Sequence, residues 1–172
     1  KSKKQLFAVH RLDRDTSGVL VFAKSFDACE TLKVQWKDVK KKYIAMVHGI
    51  LKEKSGMITS YLAENDDYEV YSVSDHRKGD LAKTKYKVVE ESKVYSLIEI
   101  ELLTGRKNQI RVHFSEKGHP LVGDTKYGKK DGPKRRLALH SQFLTFKHPR
   151  TGKEVTFQAE VPIFFKKHFK NA

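Results

Sequence analysis

The chain has 172 residues, of which 35 are Lys or Arg and 21 are Asp or Glu, so its formal net charge is +14. Its hydrophobic fraction of 38% is enough for a packed core and excludes a disordered chain, and the absence of any apolar run of about 18 residues excludes a membrane-spanning helix. A basic excess of this size favours an anionic partner, with nucleic acid ahead of an acidic membrane surface.

Residues 1–172 contain no internal repeat and no low-complexity linker, so we predict a single domain. The single cysteine, Cys29, excludes an intrachain disulfide and suits a reducing compartment. We therefore expect a cytoplasmic protein, or an organellar one if the source is eukaryotic. The histidines and Cys29 lack the spacing of a zinc site, which predicts that no metal is bound.

The first third of the chain predicts two strands and a helix. Residues 18–25, GVLVFAKS, form a short apolar run after a turn and are predicted as a buried strand. Residues 26–36 have helical periodicity, and Ser25 or Asp27 can cap that helix. Residues 43–47, YIAMV, predict another buried strand.

The middle of the chain alternates with a period of two. Residues 82–88 and 98–102 each place apolar side chains at every second position, which predicts an antiparallel pair with one face in the core. The stripe of Lys83, Lys85 and Lys87 is interpreted as a solvated face, with a track for RNA as the alternative. Residues 63–81 are polar and predict a surface loop or an irregular insertion.

The last third begins with a change of period after Gly105. Residues 108–117 predict a helix that Gly118 ends, and residues 128–136 predict an exposed basic loop. Residues 137–146 and 154–161 predict strands, and the tail predicts a short terminal helix. The sum is an α+β fold with a mixed, largely antiparallel sheet and a few helices.

Two segments hold residues that could carry chemistry. In HRLDRDTSG, residues 10–18, Asp15 fits a hydrogen-bonded turn, whereas Asp13 follows the apolar Leu12 and could be held in a partly dry site. A plain charged turn stays an alternative for both. In GRKNQIRVH, residues 105–113, Arg106 and Arg111 could pair with a carboxylate or phosphate, or form an exposed basic turn. Neither a phosphate-binding glycine loop nor a GxSxG nucleophile motif is present in the sequence.

The segment HRLDRDTSGVLVFAKS, residues 10–25, resembles the signature of the RluA-like pseudouridine synthases. Residues 41–49, 102–128 and 136–162 resemble further blocks of that family in the same order. The resemblance implies the α+β catalytic fold of those enzymes and an isomerase that converts uridine to pseudouridine in structured ribosomal or transfer RNA. It implies no cofactor, no membrane and no required protein partner, and we expect a monomer.

The resemblance also implies roles for single residues. Asp13 is the essential catalytic carboxylate, Arg111 pairs with it, and Tyr43 packs against the target base. Leu139 or Leu137 forms a wall of the pocket. Basic residues expected to bind the RNA are Arg11, which is implied to fill the space left by the extruded base, Arg14, Lys42 and Arg106.

The implied reaction breaks the N1–C1′ bond of uridine and rejoins the uracil to the ribose through C5. Three roles of Asp13 stay open: attack at the sugar C1′, attack at the base C6, or removal of the C2′ proton to give a glycal. The main alternative is a catalytically silent RNA-binding module on the same fold, which is expected to lose Asp13, Tyr43 or Arg111. A structural protein of ribosomal type is a third possibility, but it does not predict HRLD together with GRKNQIR.

The chain departs from the family pattern at two places. Asn108 stands where the family more often has histidine, so a proton-transfer role at this position is not expected. The family's catalytic domain also begins some tens of residues before HRLD, whereas only LFAV, residues 6–9, provides an apolar run here. We therefore expect a fragment of a longer polypeptide, without an accessory RNA-binding domain.

Overall fold

A computed structural model describes residues 5–128, 136–166 and 169 of the chain. The helices are α1 (Phe26–Val34), α2 (Gln109–Glu116) and α3 (Ile163–Lys166), and a 3-10 helix covers Trp36–Asp38. The strands are β1 (Phe7–Ala8), β2 (Ser17–Gly18), β3 (Phe22–Ala23), β4 (Lys40–His48), β5 (Ser55–Glu64), β6 (Val70–Val73), β7 (Asp80–Glu91), β8 (Tyr95–Leu102), β9 (Leu139–Lys147) and β10 (Glu154–Gln158).

Eight strands form one mixed sheet. Seven of them lie in the order β10-β9-β4-β8-β7-β5-β6 with antiparallel neighbours, and β2 pairs with β9 in parallel. Strands β1 and β3 pair separately. With three helices among the described residues, this confirms the α+β prediction and the largely antiparallel sheet.

Strands β7 and β8 have the predicted alternation. Tyr86 is buried and lies opposite Ile100, whereas its neighbours Lys85 and Lys87 are exposed. The solvated face is thus confirmed for these two lysines, while Lys83 is only partly exposed. Helix α2 packs against the buried face of this strand pair.

Helix α2 is attached to the sheet by its apolar side. Phe114 is fully buried and meets the Tyr86 ring edge-on at 5.4 Å, and Ile110 belongs to the same core cluster. Burial of side chains of this size stabilises the fold by about 1.5–3 kcal/mol each. The packing fixes the start of α2, at Gln109, close to the carboxyl end of β8.

Helix α1 begins as its sequence predicts. The Ser25 hydroxyl accepts a hydrogen bond from the Ala28 N–H at 3.3 Å, so Ser25 rather than Asp27 is the cap. Cys29 and Leu32 are the buried residues of this helix. The helix ends at Val34, and the 3-10 helix takes up the last part of the predicted range.

The prediction of one buried strand over residues 18–25 is wrong. The segment contains only the short β2 and β3, and Leu20 and Phe22 are 42% and 49% exposed. The reason lies at Gly18, whose φ is +120° and where a Cβ would come within 2.1 Å of the Ser141 carbonyl oxygen. The backbone approaches β9 so closely here that it pairs briefly and then turns away over the edge of the sheet.

The prediction of a loop over residues 63–81 is also wrong in part. Strand β5 continues to Glu64, and Val70–Val73 forms β6, which extends the sheet by one strand. Val70 is buried against Val112 of α2, which a polar segment does not reveal in the sequence. A tight turn from Asn65 to Glu69 joins the two strands; the Asn65 N–H donates to the Glu69 carbonyl oxygen and the Tyr68 N–H donates to the Asn65 carbonyl oxygen, each at 3.0 Å.

The later elements follow the predictions for α2, β9 and β10, within a few residues at each end. Most of the predicted basic loop, residues 129–135, lies outside the described residues. The predicted terminal helix is present as α3, and most of the tail beyond it is likewise outside them. None of the helices described here has the length and apolar character needed to cross a membrane.

Candidate active site

The turn that carries Asp13 is anchored on both sides. The Thr16 N–H donates to the Asp13 carbonyl oxygen at 2.9 Å, which closes the turn. On the upstream side, the His10 ring stacks on Trp36 with centroids 4.5 Å apart, and its Nε2 accepts from the Val21 N–H at 3.0 Å. The Asp13 side chain is therefore presented from a short, fixed segment rather than from a free loop.

His10 acts as a neutral anchor at physiological pH. Burial lowers the pKa of His10 to about 4, and the nearby charge of Lys41 adds to that effect against a backbone hydrogen bond at Arg11. A neutral ring can accept the Val21 N–H, whereas a protonated one cannot. The histidine of HRLD thus has a structural role that the sequence did not reveal.

The second segment of the site is the loop before α2, and Gln109 holds it in place. The Gln109 Oε1 accepts from the Thr104 hydroxyl at 2.8 Å and from the Arg106 N–H at 3.0 Å. Its Nε2 donates to the Lys83 carbonyl oxygen at 3.0 Å and to the Thr84 hydroxyl at 2.9 Å. The first two bonds hold the loop itself and the last two tie it to β7, so the glutamine of QIR is a buried anchor of the site.

The carboxylate of Asp13 is 21% exposed, and two side chains reach the same oxygen. The Asn108 Nδ2 donates to Asp13 Oδ2 at 2.7 Å, and the Arg111 Nη1 lies 3.5 Å from that oxygen. The structure therefore brings Asp13 and Arg111 together, as the resemblance implied. The shorter hydrogen bond to Asp13 comes from Asn108, a contact that the sequence analysis did not predict.

Arg111 is held mainly by Asp124, a residue that the sequence analysis missed. Its Nε and Nη2 donate to the two carboxylate oxygens of Asp124, each at 2.8 Å. The Asp124 side chain is fully buried and also accepts from the N–H groups of Lys126 and Tyr127 at 2.9 Å. The guanidinium fork is thus filled by Asp124, and only Nη1 remains for Asp13. In the sequence, the one indication of this role is that Asp124 is the single acidic residue between Glu116 and Asp131.

The ionisation of this buried pair is fixed by its contacts. Burial alone would raise the pKa of Asp124, but the hydrogen bonds and charge of Arg111, with the two backbone N–H groups, bring that pKa below its usual value. Burial likewise disfavours the charged form of Arg111. The contacts with Asp124, and to a smaller extent the contact with Asp13, outweigh burial and raise the pKa of the guanidinium. Both groups are charged at physiological pH, so a permanent positive charge stands beside Asp13.

The two segments enclose a cleft of about 240 Å³. Tyr43 of β4 and Leu139 of β9 line it together with Asp13, and the buried Leu137 does not. Of the two leucines that the resemblance allows, Leu139 is thus the one that lines the cleft. Burial raises the pKa of the Tyr43 phenol and the negative charge of Asp13 adds to it, so the phenol stays protonated.

The predicted basic residues fall into two groups. Arg11 and Arg106 line the cleft, although Arg106 also bonds the Leu81 carbonyl oxygen at 3.1 Å. Lys42 lies in a separate groove of the sheet, and Arg14 is exposed 3.5 Å from Asp15. Lys41, which was not predicted, lines the cleft in place of Lys42 because neighbouring residues of a strand point to opposite faces.

The described residues contain no group of three His, Cys, Asp or Glu side chains placed to hold a metal ion. Binding of Lys42 and Arg14 to RNA stays a prediction, since neither borders the cleft that contains Asp13. The roles of the other site residues are also predictions; what the structure contributes is their assembly around one cavity.

Comparison with known proteins agrees with the motifs around this cleft. Residues 1–116 match the family model described as RNA pseudouridylate synthase. An uncharacterized RNA pseudouridine synthase of Bacillus subtilis, YlyB, is 43% identical over 161 residues, which cover 90% of this chain and 52% of that protein. The ribosomal large subunit pseudouridine synthase C of Buchnera aphidicola is 36% identical over 180 residues, with 96% and 56% covered.

A solved structure shows the same architecture. The human RNA pseudouridylate synthase domain containing 1 superposes with a TM-score of 0.81 at 27% sequence identity, over 92% of this chain and 70% of that one. The chain spans about half the length of the two bacterial relatives named above.

Proposed function

The chain belongs to the RNA pseudouridylate synthase family, with the RluA-like type of motif, and from this premise we propose that it isomerises specific uridines in structured RNA with Asp13 as the essential residue. The observation that carries the proposal is the state of the Asp13 carboxylate. Its Oδ2 is bound by Asn108 and Arg111, whereas its Oδ1 has no hydrogen-bond partner in the described part of the chain. The carboxylate is thus held through Oδ2 by side chains that line the cleft.

The reaction makes limited demands on the protein. The N1–C1′ bond breaks and a C5–C1′ bond forms; C5 loses its proton and N1 gains one, so the atoms balance without an oxidant or a second substrate. A charged carboxylate, a stable countercharge and a wall for the base meet these demands. Asp13, Arg111 and Tyr43 supply them in this chain, in the roles that the family resemblance implies.

The position of Tyr43 supports a role as the wall for the base. Its ring lines the cleft beside Asp13, and its phenol stays protonated because burial raises its pKa. Leu139 provides an apolar surface in the same cleft. A uracil held against such side chains is shielded from water, which strengthens its interaction with the nearby charges.

The substrate must leave its helix or loop to enter the cleft, at a cost of a few kcal/mol. Contacts between basic side chains and phosphates offset that cost, and the chain carries a net charge of +14. Arg11 lines the cleft and is exposed, which suits such a contact. Ribosomal RNA is the first substrate to test, because the Buchnera relative is named for the large ribosomal subunit; transfer RNA is the second.

The proposal is tested with the full-length protein and RNA tritiated at uridine C5, which releases its label on isomerisation. We expect Asp13→Asn to abolish release while RNA affinity stays within about tenfold, because phosphate contacts supply most of the binding. Asp15→Asn is the matched control, since Asp15 lies two residues away with its carboxylate half exposed. It should keep most of the activity.

Three outcomes would contradict the proposal. Release at the wild-type rate from Asp13→Asn would remove the catalytic assignment, and loss in Asp15→Asn alone would mean that the wrong acid was chosen. A wild-type protein that binds structured RNA but releases no label from any ribosomal or transfer RNA would instead support the alternative of a silent RNA-binding module.

A further inference from the structure

We propose that Asn108 is the residue that positions Asp13, and that Tyr127 sets the orientation in which Asn108 does so; this rests on the proposed function. The short bond of the Asp13 carboxylate comes from the Asn108 amide at 2.7 Å, whereas Arg111 lies 3.5 Å away. Asn108 is 9% exposed, so water has little access to this contact. A neutral amide thus orients the carboxylate, and Arg111 supplies the countercharge.

The direction of the hydrogen bonds favours one orientation of the amide. The Tyr127 hydroxyl accepts from the Val70 N–H at 3.0 Å, so its own proton is free to be donated to Asn108 Oδ1, which lies 3.2 Å away. Burial raises the pKa of Tyr127, so this proton is present at physiological pH. With Oδ1 occupied in this way, the NH₂ group of Asn108 must face Asp13.

The reversed amide is disfavoured at both ends. It would place the Asn108 carbonyl oxygen against the Asp13 carboxylate and its NH₂ group against the Tyr127 proton. The chain from Val70 through Tyr127 and Asn108 to Asp13 therefore has a fixed polarity, and it begins at a strand of the sheet, β6. A backbone N–H cannot titrate at physiological pH, so the chain keeps its polarity over the working range.

The backbone of Asn108 fits this role. Its φ is +52° and its ψ is +16°, in the left-handed region that asparagine tolerates better than most residues. Glycine would adopt the same backbone with less strain but would lack the amide. The presence of asparagine where glycine is easier indicates that the side chain, rather than the turn, is what the position requires.

The matched tests are Asn108→Gly, Asn108→Asp and, as a distant amide-to-acid control, Gln158→Glu on the exposed surface of β10. Asn108→Gly should fold, because glycine suits the left-handed backbone. Its kcat should fall about tenfold or more, as expected for losing a hydrogen bond to a charged group, with KM within about threefold. Wild-type kcat in this variant would overturn the inference.

Asn108→Asp should move the pH–rate profile as well as the rate. Two carboxylates in contact take up a shared proton at higher pH than one does, so the acid limb should shift upward by about one unit or more. The other charged or titratable groups that line the cleft or contact the pair are His10, Arg11, Lys41, Tyr43, Arg106, Arg111, Asp124 and Tyr127. None of them changes in Gln158→Glu, whose profile should match the wild type.

A failure of the inference can be told apart from a failure of the proposed function. If the wild type releases label and Asn108→Asp keeps the wild-type acid limb, the inference is wrong and the function stands. If the wild type releases none, the function fails, and ¹³C NMR titration of the Asp13 carboxyl in wild type and Asn108→Asp still decides the inference. Equal titration midpoints in the two proteins would contradict it.

Discussion

Two aspartates contact the same guanidinium of Arg111 but meet opposite surroundings. Asp124 is fully buried and makes the forked pair, whereas Asp13 is partly exposed and touches only the remaining Nη1. The contact with Asp124 fixes the position of Arg111, and the contact with Asp13 places the charge of Arg111 beside that carboxylate. At the scale of single residues, the carboxylate that anchors Arg111 and the one proposed to react thus differ in burial and in the number of partners.

Replacing Asp124 by Asn should destabilise the protein by about 3 kcal/mol at pH 7, because it leaves a buried guanidinium with only the longer contact to Asp13 as countercharge. The folded-state pKa of Asp124 lies below its unfolded value, so the pair stabilises the fold above about pH 4 and this stabilisation is lost as pH falls through the folded pKa. Urea unfolding at pH 7 and near pH 3 measures both effects. The variant should lose less stability on acidification than the wild type.

Asp67→Asn is the control for that experiment, since Asp67 is exposed and its replacement removes the same charge. It should unfold like the wild type at both pH values. A wild-type free energy of unfolding for Asp124→Asn at pH 7 would show that the pair contributes little to stability.

The sequence identified Asp13, Arg111 and Tyr43, and the structure places all three at one cleft. It did not identify Asp124, Gln109 or Tyr127, because their importance lies in which distant group each one meets. Tyr127, for example, bonds Val70 and Asn108, which are 57 and 19 residues away in sequence. A motif shows that residues occur together, but the direction of a side chain depends on packing that only the folded chain defines.

At the scale of elements, helix α2 supports the site because polar groups pin it to the sheet. His113 is buried on this helix, with Nδ1 at 2.8 Å from the Thr84 hydroxyl and Nε2 at 3.1 Å from the Ser60 hydroxyl. These bonds reach β7 and β5. Arg111 and His113 share the helix, so a change in the attachment of α2 would also move the arginine beside Asp13.

Acid should loosen this attachment. Burial lowers the pKa of His113 to about 4, against an opposing effect of Glu116, so its neutral form stabilises the fold above pH 6.5 and this stabilisation is lost as pH falls toward 4. The contribution is about 2–3 kcal/mol between pH 7 and pH 4. In His113→Gln that part of the pH dependence should disappear, although the baseline stability is also lower.

Urea unfolding of His113→Gln between pH 7 and pH 4 measures this slope. His76→Gln is the control, because His76 is exposed and no buried network depends on it. The pKa of His10 is also lowered to about 4, so His113→Gln should retain a reduced slope of stability against pH rather than none. An unchanged slope would mean that His113 is protonated without a cost to the fold.

The elements themselves were predicted best where burial has one face and a clear period. Strands β7 and β8 and helix α2 were predicted within a few residues at each end. Residues 18–25 were not, because an apolar run looks the same whether it lies inside a sheet or turns over its edge at Gly18. Strand β6 escaped prediction because only Val70 of its four residues is buried, too few to give a period.

At the scale of the whole molecule, many charges of the sheet are already paired. Lys40 with Glu154, Lys54 with Glu91 and Lys107 with Glu64 are exposed pairs that contribute about 0–1 kcal/mol each. Pairs of this kind cancel in the net charge. Because 35 Lys and Arg residues stand against only 21 Asp and Glu residues, pairing of this kind cannot cancel the excess of +14.

We expect RNA binding to account for that excess. Each phosphate neutralised releases condensed counterions, so log affinity should fall linearly with log salt concentration, by about 0.7 per contact on single strands and about 0.9 on duplexes. The measurement is binding of ribosomal RNA fragments by the full-length Asp13→Asn variant, which avoids turnover, between about 50 and 200 mM salt.

Adding Arg11→Gln should reduce the slope by about one contact, because Arg11 is exposed at the cleft. Adding Arg77→Gln should leave the slope unchanged, since Asp75 already holds that guanidinium with two hydrogen bonds of 3.1 Å. An affinity that does not respond to salt would separate the basic charge of this chain from RNA altogether.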